Sequence, residues 1–242
     1  MKAIGIIPAR YASSRFPGKP LIDLKGKSMI QRVYEGASKS ECLDEVIVAT
    51  DDRRIFDAVE AFGGKVMMTS ESHPSGTDRC GEIAVSKEAD IIINIQGDEP
   101  LVDARQIDAL CRAFEDPLVK IATLGHPDVT IEDRENPNRI KVVCNVKGDA
   151  LYFSRNEIPS ASRVKEAEAE AYPFLRHIGL YAYRNDILQK LVKLEPTALE
   201  KMESLEQLRW LYHGYNIRVI ETTIETPNID TPEDLEKVLP LL

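Results

Sequence analysis

Two arginines and a lysine crowd the loop that follows the first apolar run. In PARYASSRFPGKPL, Arg10, Arg15 and Lys19 stand among Ser13, Ser14 and Gly18. Guanidinium forks, an ammonium and backbone N–H groups can together surround a polyphosphate. No acid precedes Asp23, so the loop is basic on a chain of net charge −9. A merely solvated basic loop would have the same residues. The GKS at Gly26–Ser28 imitates the end of a P-loop, but the first glycine which that motif needs falls on Leu21. There is no G-x-G-x-x-G, which disfavours a dinucleotide fold.

Further candidates lie far along the chain. Asp98, in QGDEP, follows an apolar run and would stand at the carboxyl end of a strand, as a ligand or as a turn residue. Asp230, in DTPED, opens a complete helix-start signal, with Pro at the first helical position. His177 and Tyr181 are four apart in an alternating segment and share one face of a strand. A strand histidine also serves as a core or interface group. Arg155 ends the run YFSR, where it could fork a carboxylate or simply face water. Glu206 and Gln207 fall in a helical pattern, where solvated polar residues are usual.

The elements that must carry these residues alternate. AIGIIP, EVIVAT, KVMM and DIIINIQG are apolar and β-branched, as strands buried on both faces are. Helical patterns over Ser28–Ser40, Asp52–Phe62, Thr77–Lys87 and Asp103–Phe114 separate or follow them. Ser28 is a candidate cap for the first helix, and Thr77 or Asp78 for the third. The pattern predicts an α/β fold, with a mainly parallel sheet flanked by helices. After about residue 120, KIATLG, RIKVVCNV, ALYFS and HIGLYAYR read as strands with short connections, VKGDA forming a hairpin turn. Helices return over Ile187–Leu194 and Leu199–His213, then the strand IRVIE and the helix PEDLEKVL. The acidic stretch SASRVKEAEAEAYP reads as a solvated surface. No repeat or linker interrupts the chain, so residues 1–242 read as one domain with a β-rich insertion near 142–183.

Composition excludes several classes. Hydrophobic residues make up 43% and charged residues 29% of 242, which suits a globular chain and not a disordered one. An acidic balance with pI near 5.1 argues against nucleic acid or anionic membranes as partners. No apolar run approaches the ~20 residues of a membrane span, and the opening MKAIGIIPAR reads as a strand, not a secretory signal. Cys42, Cys80, Cys111 and Cys144 are dispersed without a C-x-x-C pair, so a reducing, cytoplasmic setting is expected.

The pattern I-P-A-R-x-x-S-x-R-x-P-G-K-P-L, taken whole, closely resembles the opening of the 3-deoxy-manno-octulosonate (Kdo) cytidylyltransferases, also called CMP-Kdo synthetases. The resemblance continues through VATDD (48–52), SGTDR (75–79), NIQGDEP (94–100), NPNRIKVV (136–143), YFSRNEIP (152–159), LRHIGLYAYR (175–184), ESLEQLR (203–209) and DTPEDL (230–235).

The resemblance implies a Rossmann-like nucleotide-diphospho-sugar transferase fold and a reaction of CTP with Kdo. The products would be CMP-Kdo, for lipopolysaccharide biosynthesis, and pyrophosphate. By motif match, Arg10, Ser13, Arg15 and Lys19 would hold the CTP phosphates, with Thr50, Gly76, Arg79 and Gln96 around the nucleotide. Arg155, His177, Tyr181, Glu206 and Gln207 would meet the sugar. Asp98 and Asp230 would hold a divalent metal, Mg2+, and with Lys19 and Arg15 would be catalytic. A homodimer through the β-rich insertion is implied, and Tyr152, Phe153, Phe174, Tyr181 and Tyr183 supply aromatics that suit an interface. After Pro159 many family members place Trp-Asp, whereas this chain has Ser160-Ala161-Ser162. That departure leaves 8-amino-Kdo or a nonulosonate as the alternative sugar. A non-catalytic nucleotide sensor on the same fold is a more distant alternative, against which Asp98 and Asp230 count.

Overall fold

The computed structural model describes residues 1–12, 16–127, 129–229 and 231–242. In chain order the elements begin with β1 (Ala3–Ala9), α1 (Met29–Ala37), β2 (Glu45–Thr50), α2 (Arg53–Ala61), β3 (Val66–Met68) and α3 (Gly76–Val85). They continue with β4 (Ile91–Asn94), α4 (Ala104–Ala113), β5 (Ile121–His126), α5 (Ile131–Glu135), β6 (Lys141–Cys144) and β7 (Ala150–Ser154). The last are α6 (Glu166–Ala171), β8 (Leu175–Arg184), α7 (Asn185–Leu191), α8 (Ala198–Glu203), α9 (Gln207–Tyr212), β9 (Arg218–Glu221) and α10 (Asp234–Val238).

Residues form two compact units where the sequence reads as one domain. Unit 1 comprises Met1–Cys111, Ala182–Val192 and Glu225–Leu242; unit 2 comprises Arg112–Tyr181 and Lys193–Ile224. The second unit is thus much larger than a β-rich insertion at 142–183.

Unit 1 contains the strand order β3-β2-β1-β4, and every pairing in it is parallel. Ile4, Ile6 and Ile7 of β1 have no exposed surface, so both strand faces are covered, as consecutive apolar residues require. The register sets Ala9 beside Thr50, Thr50 beside Met68 and Ile6 beside Asn94. The carboxyl ends of these strands therefore open on one edge, where α/β sheets bind ligands. Ser28 caps α1 by accepting from the Gln31 amide. The cap of α3 is Ser75, not Thr77 or Asp78: its hydroxyl oxygen accepts from the Asp78 amide and its hydroxyl donates to the Asp78 carboxylate. The earlier start brings Gly76 into the first turn of that helix.

In unit 2, β5 and β9 pair in parallel, β6 runs antiparallel to both β7 and β8, and β8 neighbours β5. Its interior gathers Ile121, Leu124, Phe153, Leu180, Leu208 and Trp210. The expected helix Leu199–His213 is split into α8 and α9. Ser204 adopts φ 51°, a left-handed conformation that ends α8 and turns Leu205 into the core. Period alone did not reveal this break, because Ser204 is not the glycine usual at such a site. The acidic stretch forms the short, exposed α6.

Candidate active site

The basic loop begins where β1 ends. Arg10 is exposed there, and Tyr11 follows under the guanidinium of Arg54, 3.3 Å above its ring. The loop closes where the Gly18 amide donates to the Tyr11 carbonyl at 2.9 Å. Gly18 has φ 72°, and a Cβ there would meet the Tyr11 ring at 3.1 Å, so conformation and space both require glycine. This closure sets Lys19 at the start of a short 3-10 turn, KPL. Ser13 and Arg15 lie outside the described residues.

Lys19 joins three distant parts of the chain. Its Nζ donates to Asp98 Oδ2 at 2.8 Å and to the Ile229 carbonyl at 2.8 Å. The Ile229 amide in turn donates to the Asp98 carbonyl at 2.9 Å. The Lys19 and Asp98 side chains are 13% and 27% exposed, so the pair is shielded but reachable. Gly97 lets Asp98 come so close to β1, since a Cβ at Gly97 would stand 2.8 Å from the Pro8 carbonyl oxygen. Gly97 was not among the candidates, although the Gln-Gly-Asp motif contains it.

Asp230 lies outside the described residues, next in sequence to Ile229. Among the described residues, Thr231 and Asp234 hydrogen bond at the start of α10. Asp234 Oδ2 accepts from the Thr231 amide at 2.9 Å and from the Thr231 hydroxyl at 3.2 Å.

Arg79 and Thr50 are both fully buried. Arg79 is 0% exposed, with Nη2 donating to Asp51 at 2.6 Å and Nη1 to the Thr69 hydroxyl and the Ser70 carbonyl. A guanidinium committed in this way braces α3 to the ends of β2 and β3. Desolvating a cation needs such partners, which Asp51 supplies. Asp51 went unnoticed in the sequence, though it stands in VATDD. Thr50 is also sealed, and its hydroxyl accepts from the Asp52 amide at 3.2 Å. Gly76 packs against Pro8, where a Cβ would meet the ring at 3.3 Å, and Gln96 is partly exposed at the end of β4.

The five sugar candidates gather in unit 2. The His177 ring packs against Phe153 and Tyr181, at centroid distances of 5.0 and 5.3 Å. Its Nε2 hydrogen bonds with the Thr123 hydroxyl at 3.0 Å. Burial, with the nearby Arg176 charge, pushes the imidazole pKa down to about 3, so His177 is neutral at pH 7. Tyr181 stacks edge-on against Trp210, which is one turn beyond Glu206 and Gln207. Burial, assisted by the Glu206 charge, raises the Tyr181 pKa well above its ordinary value.

Arg155 adjoins the turn that starts α9. Its Nε donates to the Glu203 carbonyl at 2.6 Å, Nη1 to Pro137 at 2.9 Å and Nη2 to Ser204 at 3.3 Å. Among the described residues the guanidinium binds three backbone carbonyls and no carboxylate, and the residue remains partly exposed. Among the aromatics read as interface material, Phe153, Phe174, Tyr181 and Tyr183 are buried within the chain, so they build core instead.

A parallel sheet carrying a cation–carboxylate pair, a glycine-closed basic loop and a braced helix start on its ligand edge defines a nucleotide-handling α/β protein. Comparisons with known proteins narrow that class. The sequence profile of the cytidylyltransferase family matches residues 4–221. A 3-deoxy-manno-octulosonate cytidylyltransferase of Parabacteroides distasonis is 53% identical over 249 residues, covering 100% of this chain and 98% of that protein. One of the same description from Syntrophobacter fumaroxidans is 52% identical over 246 residues, covering 100% and 97%. A solved CMP:2-keto-3-deoxy-manno-octonic acid synthetase complexed with CTP superposes with a TM-score of 0.94. It is 48% identical, and the match covers 100% of this chain and 98% of that one. The chain belongs to the 3-deoxy-manno-octulosonate cytidylyltransferases, within the cytidylyltransferase family.

Proposed function

We propose that the protein joins CTP to Kdo, giving CMP-Kdo for lipopolysaccharide biosynthesis and releasing pyrophosphate. The observation that carries this reading is the Lys19–Asp98 pair at the mouth of the basic loop, on the sheet edge where ligands bind. It is supported by full-length similarity to proteins of that description. The anomeric hydroxyl would attack the α-phosphorus while pyrophosphate leaves from the far side, a step that relies on positioning and charge neutralisation. Arg10, Ser13, Arg15 and Lys19 would hold the triphosphate, with Lys19 exchanging its carbonyl and carboxylate partners for phosphate oxygens. Arg79 would act through the ends of β2 and β3, which it braces.

For the sugar, Arg155, Tyr181, Glu206 and Gln207 would supply polar contacts. His177 is neutral and would serve as a hydrogen-bond partner rather than as a cation. Magnesium would fit this donor set: Asp98 is a hard-oxygen ligand with one carboxylate oxygen on Lys19 and, among the described residues, the second without a hydrogen bond. Asp230 would be the second ligand. When bound, the ion would neutralise phosphate charge and acidify the sugar hydroxyl.

A pyrophosphate-release assay with CTP, magnesium and Kdo, 8-amino-Kdo or sialate side by side tests the reading. Release with Kdo is expected; release with sialate alone would transfer the assignment to the nonulosonates, and none with any acid would reject catalysis. We further place the protein in the cytoplasm as a homodimer. Among the described residues no helix is long and apolar enough to cross a membrane. The β6–β7 hairpin exposes Val146 and Leu151, which suits a partner surface better than the buried aromatics do. Light scattering that reports a 27.1 kDa monomer at micromolar concentration would reject the dimer.

A further inference from the structure

α2 opens on Arg53 and Arg54, at the end of a helix where the backbone dipole is already positive. Asp52 caps that end by itself, accepting from the Arg54 amide at 2.9 Å, so helix stability alone gives no reason for a cation at position 54. What the side chain touches supplies one. Its Nε donates to Asp52 Oδ1 at 2.9 Å and its Nη2 to Asp52 Oδ2 at 2.6 Å, a two-pronged grip on a single carboxylate. These hydrogen bonds hold the Asp52 carboxyl below its ordinary pKa. The Asp52 amide in turn donates to the Thr50 hydroxyl at the end of β2. The guanidinium is thus fixed to the scaffold of the ligand edge.

That guanidinium lies over the Tyr11 ring, 3.3 Å from its centre. Tyr11 is where the basic loop closes on itself. Its carbonyl accepts from the Gly18 amide at 2.9 Å, and its ring stands where a Cβ on Gly18 would meet it at 3.1 Å. One residue therefore joins the two ends of the loop through both backbone and ring. Residues 12–17 span the closure, with Arg10 before it and Lys19 after it. The Arg54 side chain is 59% exposed, and an ion pair so open to water contributes little to folding. Its effect falls on the loop instead, because a loop fixed beforehand loses less freedom when a ligand orders it.

We propose that Arg54 is a positioning residue for the phosphate loop: anchored by Asp52, it holds the Tyr11 ring and so presets the loop for the triphosphate of CTP. This rests on the CTP reading above and adds to it a residue outside the basic loop. Arg54 acts through Tyr11, so its contribution vanishes with the ring. An arginine that met a phosphate directly would contribute with or without the ring. One that only braced α2 would change stability and leave CTP affinity alone.

The test measures CTP affinity by calorimetry on the full chain with magnesium, beside kcat and KM with Kdo. Arg54→Leu and Tyr11→Leu are each expected to weaken CTP binding about fivefold, the scale of one cation–ring contact. Both kcat and KM for Kdo should stay within about twofold, because a preset loop favours bound CTP and the transition state alike. Tyr11→Phe keeps the ring and should bind CTP as the wild type does. The double variant Arg54→Leu/Tyr11→Leu should be no weaker than either single one. Losses that add in the double variant would make Arg54 a direct phosphate ligand and overturn the proposal, as would wild-type CTP affinity in Arg54→Leu. If Tyr11→Leu does not fold, Arg54→Lys decides. It keeps a charge for phosphate but not the planar fork that grips Asp52, so affinity as low as that of Arg54→Leu supports the proposal and wild-type affinity overturns it. Wild-type protein that binds no CTP would overturn the CTP reading and this assignment together. A wild type that binds CTP and makes CMP-Kdo, beside an Arg54→Leu variant that binds CTP equally well, would overturn this assignment alone.

Discussion

At the scale of single residues, Lys19 and Arg10 share a motif but not a structural role. Lys19 fastens Asp98 and the Ile229 backbone, whereas Arg10 is exposed at the end of β1. Each should bind triphosphate, and loss of a charged hydrogen bond costs ~1.5–3 kcal/mol. Lys19→Ala and Arg10→Ala are therefore expected to lower kcat/KM for CTP by about one to two decades. Stability should separate them: Lys19→Ala melts a few degrees lower, while Arg10→Ala melts as the wild type does. Unchanged CTP kinetics in both would remove the phosphate loop from the mechanism. His177 makes a different prediction. Its pKa falls from 6.5 when unfolded to about 3 when folded, so the unfolded chain binds the extra proton first as pH drops. The stability it contributes is complete above pH 6.5 and is lost as pH falls toward 3. Denaturant titrations of His177→Gln and wild type should thus converge in that window, with no His177 titration in kcat near neutrality. Parallel stability curves from pH 7 to 4 would contradict the neutral imidazole.

At the scale of elements, glycines decide where the ligand edge can close. The segment after β4 passes so near β1 that Gly97 leaves no room for a side chain, its absent Cβ lying 2.8 Å from the Pro8 oxygen. Gly97→Ala must push β1 and the Asp98 turn apart, and such overpacking costs ~1–3 kcal/mol. Chemical denaturation should register that loss, accompanied by a raised KM for CTP as Asp98 separates from Lys19. A variant with wild-type stability and KM would show that the turn relaxes freely. The same edge owes its other wall to Arg79, whose bonds to Asp51 and Thr69 tie α3 to two strand ends. In unit 2, left-handed Ser204 plays the comparable part by ending α8 and releasing the turn on which Arg155 closes.

At the scale of the whole molecule, residues remote in sequence must meet before any of this chemistry is available. Asp98 and the chain at Ile229 are joined by a backbone hydrogen bond, and Lys19 reaches both. Thr231 donates to Asp234 at the start of α10, and asparagine caps a helix start as aspartate does. Asp230→Asn is accordingly expected to keep its melting temperature, lose turnover and regain part of it at raised magnesium. Full activity in that variant would end the metal assignment, and a lowered melting temperature would restore the helix-start explanation.

Sequence by itself determined the parallel strands, the basic loop and the family. Those follow from local signals: runs of β-branched residues, cation spacing within one loop, and motifs in a set order. What required the tertiary structure was the state of each charged group. Motif match placed Arg79 beside the nucleotide and nothing singled out Lys141, yet both are fully buried, Arg79 on a carboxylate and Lys141, among the described residues, on carbonyls. The split of the expected helix at Ser204 and the extent of unit 2 were equally hidden. Periodicity reports which face of an element is apolar, but a charge takes its energy from partners that folding brings from elsewhere in the chain.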